Sequence, residues 1–226
     1  MLSTLENLFK LARERKEKPV DGSCTNKLLS DNTIFDYRTP NYDFLYGWCP
    51  KRKLFLQHAT VQELLELDLI SNKTWNEYYK FTIIRNPWDR LISSYNWIKN
   101  DLSIRGNLND FLTKDNQFSR IDLLNPLHYR ADHLKSQSEY IFFADYKLND
   151  IYDFDKVQNI PFYKFLNDNE LIIKHFKKSN TNKHYSQYFT NTQKEIVKEM
   201  YKDDISNFSF EFNDQRSGIN KLKKLF

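Results

Sequence analysis

One stretch of the sequence, residues 79–100, changes within a few residues from a strand-like to a helix-like pattern. It is YKFTIIRNPWDRLISSYNWIKN, and its first six residues are rich in the aromatic and β-branched side chains that favour strands. Asn86 is a favoured N-cap residue, and Pro87 suits the first position of a helix. The apolar residues that follow recur at helical spacing: Leu91, Ile92, Tyr95 and Ile98. The stretch therefore predicts a strand that leads directly into a helix, with Arg85 in the turn between them.

The rest of the chain repeats this alternation of strands and helices. Residues 54–56, 139–145 and 150–154 predict further strands. Capping boxes predict helices that begin near Ser3, Thr60 and Thr190, and a further helix is predicted over residues 155–166. Such alternation predicts an α/β fold with a mainly parallel sheet flanked by helices. The length of 226 residues suits one domain over residues 1–226.

Composition and charge argue against several classes of function. The net charge of +4 is weak and is not gathered into a basic stripe, so a nucleic-acid-binding protein is disfavoured. No apolar run approaches the ~20 residues that span a bilayer, so no membrane segment is predicted. The two cysteines, Cys24 and Cys49, form no zinc-binding pattern, and whether they pair stays open.

The turn at Arg85 has the properties of an anion-binding site. A strand-to-helix turn offers backbone N–H groups and the positive end of a helix dipole, and a guanidinium group adds a planar set of donors for phosphate oxygens. Ser93 lies eight residues further on, where its hydroxyl can join Arg85 around one anion. The alternative is structural: Arg85 pairs with an acidic neighbour, and Ser93 or Ser94 is a small residue that helps helices to pack.

The same residues resemble the 3′-phosphate-binding motif of sulfotransferases, whose core is R-N-P-x-x-R-x-x-S-x-Y. The matching residues, in order, are Arg85, Asn86, Pro87, Arg90, Ser93 and Tyr95. The resemblance implies a three-layer fold of the P-loop NTPase-like kind and the sulfuryl donor 3′-phosphoadenosine 5′-phosphosulfate, PAPS, with no metal. It assigns the grip on the 3′-phosphate to Arg85 and Ser93, with Ser94 as the substitute if the register slips by one residue.

A second segment, LQHATVQEL, is similar to the H-A-x-x-x-E-L pattern of the carbohydrate-acting, family 2-like branch of sulfotransferases. In that branch the histidine is the general base that takes the proton of the acceptor hydroxyl, a role that the resemblance gives to His58. An imidazole titrates near neutrality and suits this task. The alternative is a histidine that caps or packs against the following helix. Residues 184–212 resemble the C-terminal end of the same branch.

The resemblance fails at the start of the chain. The family opens with a strand and a loop, roughly I-P-K-T-G-G-T-S, that wraps the 5′-phosphosulfate, whereas this chain has only Ser3 and Thr4 at the final hydroxyl positions. Two explanations stay open: a misplaced or truncated start, or a divergent member that survives as a catalytically impaired nucleotide- or glycan-binding relic. A cytoplasmic location is expected, or the Golgi lumen if an upstream anchor was removed.

Three other groups of residues are weaker candidates. His128 and His133 are spaced five apart, which is a poor helical spacing for a shared metal. The basic segment 175–185 predicts either a surface loop or a contact with an anionic ligand. The tyrosines and tryptophan between residues 37 and 48 form either a platform for a sugar or the core of a long loop.

Both predicted reactive groups, His58 and Arg85, follow strands. In parallel sheets ligands bind beyond the carboxyl ends of the strands. The sequence therefore predicts that His58 and Arg85 converge at one edge of a single sheet.

Overall fold

A computed structural model describes residues 27–28, 34–42, 45–159 and 183–216 of the chain. These residues form short strands and helices in alternation, so the chain has a mixed α/β structure. The helix predicted at Ser3 lies outside the described residues, and so does most of the helix predicted over 155–166. Among the described helices, none has the length and apolar character that crossing a membrane requires.

The strands of the described residues form three two-stranded sheets. Two sheets are antiparallel: β1 (Lys27–Leu28) with β2 (Ile34–Phe35), and β3 (Trp48–Cys49) with β4 (Leu54–Phe55). The third is parallel and pairs β5 (Phe81–Ile84) with β6 (Asp150–Asp153), in a register that sets Phe81 opposite Asp150. The strands predicted over 79–84 and 150–154 are therefore confirmed.

Seven α-helices accompany these strands in the described part of the chain. They are α1 (Val61–Glu66), α2 (Asn72–Glu77), α3 (Pro87–Asp101), α4 (Leu108–Thr113), α5 (Gln137–Ile141), α6 (Asn191–Met200) and α7 (Lys202–Phe208). The predicted capping boxes at Thr60 and Thr190 are both formed, so the starts of α1 and α6 are confirmed. Short 3₁₀ segments include Leu56–His58, Ala131–Leu134 and Tyr185–Tyr188.

Helix α3 is the centre of the main hydrophobic core. It begins as predicted, with the Asn86 side chain accepting a hydrogen bond from the Trp88 N–H at 3.2 Å and with Pro87 at its first position. The predicted apolar stripe is buried, and it packs against side chains from α4, α6 and the segments around them: Phe111, Phe118, Phe189, Val197 and Tyr201. Each large apolar side chain buried here contributes about 1.5–3 kcal/mol. This packing fixes α3 and so fixes the polar residues on its other flank.

The strand predicted over residues 139–145 is wrong, because this segment begins inside helix α5. Ser136 and Glu139 form a capping box at the start of α5, and the Asp204 carboxylate accepts hydrogen bonds from the first two N–H groups of the helix. These satisfied N–H groups outweigh the strand preference of the aromatic residues that follow.

The strand before His58 exists, but it does not lie in the sheet that contains β5. After Cys49 the chain turns back, with the Lys53 N–H donating to the Cys49 carbonyl at 2.8 Å and Lys53 in the left-handed region at φ 54°. This turn makes β3 and β4 a hairpin. The prediction that His58 and Arg85 meet at the edge of one parallel sheet is therefore wrong.

Candidate functional site

Arg85 lies in the turn between β5 and α3, as predicted. Its Nε donates to the Asp89 carboxylate at 2.5 Å, and its guanidinium carbon lies 4.7 Å from the centre of the Phe154 ring. The pairing with an acidic neighbour is thus present. Within the described residues the guanidinium makes this one hydrogen bond, through Nε, so both terminal nitrogens keep their donors for a further acceptor.

Three side chains follow one another along one flank of α3, and Arg85 bonds to the first of them, Asp89, from the turn before the helix. Asp89, Ser93 and Trp97 are spaced by four residues, and Arg85 precedes Asp89 by the same interval. Residues four apart on a helix are neighbours, and each interval advances about 6 Å along the axis. Ser93 therefore lies one turn beyond Asp89 and one turn before Trp97. Ser94 is rotated by about 100° from this row.

His58 ends the 3₁₀ segment that follows β4, and its ring packs against a second histidine. The centres of the His58 and His133 rings are 4.5 Å apart, and His133 in turn packs against Trp97 at 4.3 Å. The N-cap of the following helix is Thr60, so His58 does not fill that position. Through His133 and Trp97, His58 is joined to the same flank of α3 that carries Arg85 and Ser93.

The surroundings of the two histidines are buried and shift the pKa values of several groups. Burial, with the nearby His58, Arg130 and Arg90, holds the pKa of His133 well below its usual range. Burial also raises the pKa of Asp132 to about 7, although Arg130 and Lys135 oppose this change. Since His133 stays neutral near pH 7, it adds no positive charge beside His58.

Asp132 is the most unusual group of this cluster. Its side chain is 3% exposed, and Oδ1 accepts a hydrogen bond from the His133 N–H at 3.0 Å. Within the described residues Oδ2 has no hydrogen-bond partner. A buried carboxylate with half of its acceptors unused is costly. This cost is the physical cause of the raised pKa.

Two ion pairs hold the walls around the histidines. Lys135 bonds to the Glu63 carboxylate at 2.9 Å, and this bond joins the segment that carries His133 to α1. Burial raises the pKa of the Glu63 carboxyl, but its bonds to Lys135 and Thr60 lower it further, so that the net pKa is lowered. Arg130 is 3% exposed and bonds to Asp101, the last residue of α3, at 2.7 Å.

An aromatic cavity of about 320 Å³ begins beside Ala59, the neighbour of His58. Its lining includes aromatic side chains from α2, β5 and α5, together with one ammonium group: Trp75, Tyr79, Phe81, Tyr140 and Lys80. The Lys80 ammonium donates to the Trp75 carbonyl at 2.6 Å and lies 5.3 Å from the centre of the Trp75 ring.

Other predicted candidates fall outside this arrangement. Tyr46 and Trp48 are 3% and 5% exposed, and Trp48 packs against Phe55, so these two residues belong to the core. Ser3, Thr4 and residues 175–182 lie outside the described residues. No group of three metal-ligating side chains occurs in the part of the chain that the structure describes.

Sequence reasoning missed the packing of His58 against His133, the packing of His133 against Trp97 and the buried carboxyl group of Asp132. The sequence pattern indicates His133 only as a candidate metal ligand. No local spacing links residues 58, 97 and 133, so the signal arises only when the three segments are folded together.

In the comparison with protein families, the model described as "Sulfotransferase family" matches residues 49–211. This region contains the β5–α3 turn, both histidines and helix α7. Comparisons with curated proteins and with solved structures each found no match.

Proposed function

Because the chain belongs to the sulfotransferase family, we propose that it transfers the sulfuryl group of PAPS to the hydroxyl of a carbohydrate. In this proposal residues 1–226 belong to a single domain with the three-layer, P-loop NTPase-like fold. Ser3 and Thr4 contribute to the 5′ end of the donor site.

The 3′-phosphate of the donor is bound by Arg85 and Ser93. The supporting observation is that Arg85 keeps two terminal nitrogens for an acceptor while Ser93 follows it on the same flank of α3. The N-terminus of a 15-residue helix adds a favourable dipole for the same anion. Asp89 lies between the two residues and opposes the anion, which lowers the affinity without removing the site.

His58 is the general base in this reaction. It takes the proton from the acceptor hydroxyl as the oxygen attacks sulfur. The new sulfur–oxygen bond forms while the bond to the phosphate oxygen breaks, so the products are a sulfate ester and adenosine 3′,5′-bisphosphate. The neutral His133 packed against His58 supports this role, because a second positive charge there would oppose proton uptake.

The acceptor enters through the aromatic cavity beside Ala59. Aromatic rings cover the apolar faces of sugar rings, and the Trp75, Tyr79 and Phe81 side chains supply such surfaces. The volume of about 320 Å³ falls at the lower end of the range for small-molecule sites and suits one or two sugar units.

Titration calorimetry with adenosine 3′,5′-bisphosphate tests the donor site. We expect wild type to bind and Arg85→Ala to lose at least about tenfold in affinity, since a charge-assisted contact contributes about 1.5–3 kcal/mol. Arg52→Ala is the matched control, because Arg52 also pairs with a carboxylate, Glu66, but on α1. Binding that is equal in all three proteins would contradict the assignment of Arg85. Absence of binding by folded wild type would contradict the proposed donor site.

A further inference from the structure

A buried side chain holds the Arg85 turn through two hydrogen bonds to the backbone of Arg85, which are the bonds that a neighbouring strand would make. The Arg85 N–H donates to Gln137 Oε1 at 2.7 Å, and Gln137 Nε2 donates to the Arg85 carbonyl at 2.9 Å. A single side-chain amide thus satisfies both backbone groups of Arg85 at the residue after β5 ends. Gln137 is 8% exposed, so water competes little for these bonds.

A buried carboxylate fixes the orientation of this amide. Asp204 on α7 is fully buried, and its Oδ2 accepts from both the backbone N–H of Gln137 at 2.8 Å and Nε2 at 3.2 Å. Both neighbours of Nε2 are acceptors, Asp204 Oδ2 and the Arg85 carbonyl. The amide is therefore satisfied in only one of its two flipped orientations.

The same carboxylate secures the helix that carries Gln137. Asp204 Oδ1 accepts from the Ser138 N–H at 2.7 Å, so Asp204 binds the first two N–H groups of α5. The residue after Arg85 is also held from this side, because Asn86 Nδ2 donates to the Glu211 carbonyl at 2.8 Å. Segments far apart in the sequence thus converge on the backbone of Arg85 and the side chain of Asn86.

We propose that Gln137 and Asp204 are positioning residues for the anion site, acting through the backbone of Arg85. The hydrogen bonds between Asp204 and Gln137 and between Gln137 and Arg85 fix the backbone position of Arg85, and so they restrict where its guanidinium group can lie. Less conformational entropy is therefore lost when an anion binds. This inference rests on the proposed donor site, and it extends that site to two residues that touch no part of the nucleotide.

The test uses Gln137→Met, which keeps the length of the side chain and removes both of its bonds to Arg85. In full-length protein that stays folded by circular dichroism, we expect about tenfold or greater loss of affinity for adenosine 3′,5′-bisphosphate. The Arg85 amide hydrogen should also exchange at least about tenfold faster, because its acceptor is gone. Asp204→Asn, which keeps the shape but loses one acceptor, gives the same two readouts if Gln137→Met does not fold.

Gln193→Met is the matched control. Gln193 also accepts a backbone N–H bond, from Thr190 at 3.0 Å, but this bond belongs to the capping box of α6 and not to the hydrogen bonds that hold Arg85. It should lower the melting temperature while leaving the nucleotide affinity and the exchange of the Arg85 amide at wild-type values.

The outcomes separate this inference from the proposed function. Wild-type affinity in Gln137→Met, beside a loss in Arg85→Ala, would overturn the positioning role and leave the donor site standing. An unchanged Arg85 amide exchange in a folded Gln137→Met would also overturn it. No nucleotide binding by wild type would overturn the donor site, and with it the positioning role, even if the amide exchange shows that the network exists.

Discussion

The two ends of the flank of α3 bring their polar side chains together in different ways. At the N-terminal end, Arg85 and Asp89 come from one short segment and are 27% and 30% exposed. At the other end, Trp97 meets His133 and, through it, His58, which come from two distant segments. The paired side chains at the N-terminal end, the anion end, are thus neighbours in the sequence, whereas those at the histidine end meet only through the fold.

The two ends also differ in how deeply their ionisable groups are buried. Arg85 and Asp89 neutralise each other in a partly exposed pair, which costs little desolvation. The histidine end contains a buried carboxyl group with an unused acceptor oxygen and a neutral imidazole, both with shifted pKa values. Changes at the histidine end should therefore have larger effects and a stronger dependence on pH.

The largest effect is expected for His58→Gln, which tests whether the two ends have separate roles. Turnover of PAPS with a sugar acceptor that wild type uses should fall by about 10²–10⁴-fold, because the general base is lost. The affinity for adenosine 3′,5′-bisphosphate should stay at the wild-type value, since Arg85 is unaffected. His128→Gln is the control: His128 bonds to Arg120 and Asn125 away from this cluster. Unchanged turnover in His58→Gln would remove His58 from the mechanism.

A smaller effect is expected for Asp132→Asn, and it appears in the stability rather than in the rate. The folded pKa of Asp132 is about 7, above its unfolded value near 3.9, so its contribution is fully present below pH 4 and is lost as pH rises towards 7. Through this group the free energy of unfolding of wild type falls by about 1.4 kcal/mol per pH unit in that window.

The amide that replaces the carboxyl group in Asp132→Asn carries no charge, so the variant should gain stability relative to wild type between pH 4 and pH 8. His133 has a lowered pKa and acts in the opposite direction, but it is present in both proteins and cancels in the difference. Urea unfolding at several pH values measures this difference, with the exposed Asp145→Asn as the control. A difference in stability that does not change with pH would show that Asp132 is ionised in the folded protein throughout this range.

The smallest effect is expected for Asp89→Asn, which removes the negative charge between Arg85 and Ser93. The affinity for adenosine 3′,5′-bisphosphate should rise by a few-fold, because about 1 kcal/mol of repulsion between charges near a surface is relieved. The protein should become slightly less stable, since a salt bridge in the first turn of α3 is lost. A strong decrease in affinity would mean that Asp89 orients Arg85 for the ligand.

The sequence predicted those parts of the site that depend on neighbouring residues. β5, the N-cap at Asn86, the placement of Arg85 in the turn and the buried stripe of α3 all follow from local spacing, and all are present. The capping boxes at Thr60 and Thr190 were predictable for the same reason. Each of these features needs only a few consecutive residues to decide between strand, turn and helix.

The parts that could not be predicted depend on tertiary contacts. The segment 139–145 has a strand-like composition, but Asp204, more than sixty residues away, binds the start of α5 and stabilises a helix there. The strand before His58 was predicted, whereas its partner was not, because the β3–β4 turn lies in a segment without a clear hairpin signal. His133 reaches His58 only through the fold, and no local spacing of histidines indicates that contact.

The central claim is that the two ends of this flank form one site, and nuclear magnetic resonance of the histidine rings tests it most directly. Adenosine 3′,5′-bisphosphate would be titrated into wild type while the ring signals of the histidines are followed, with assignments from His→Gln variants. The account predicts that the His58 and His133 signals shift in step with nucleotide binding, while the His128 signal does not. Saturable binding that leaves both His58 and His133 unchanged would contradict a single site along α3.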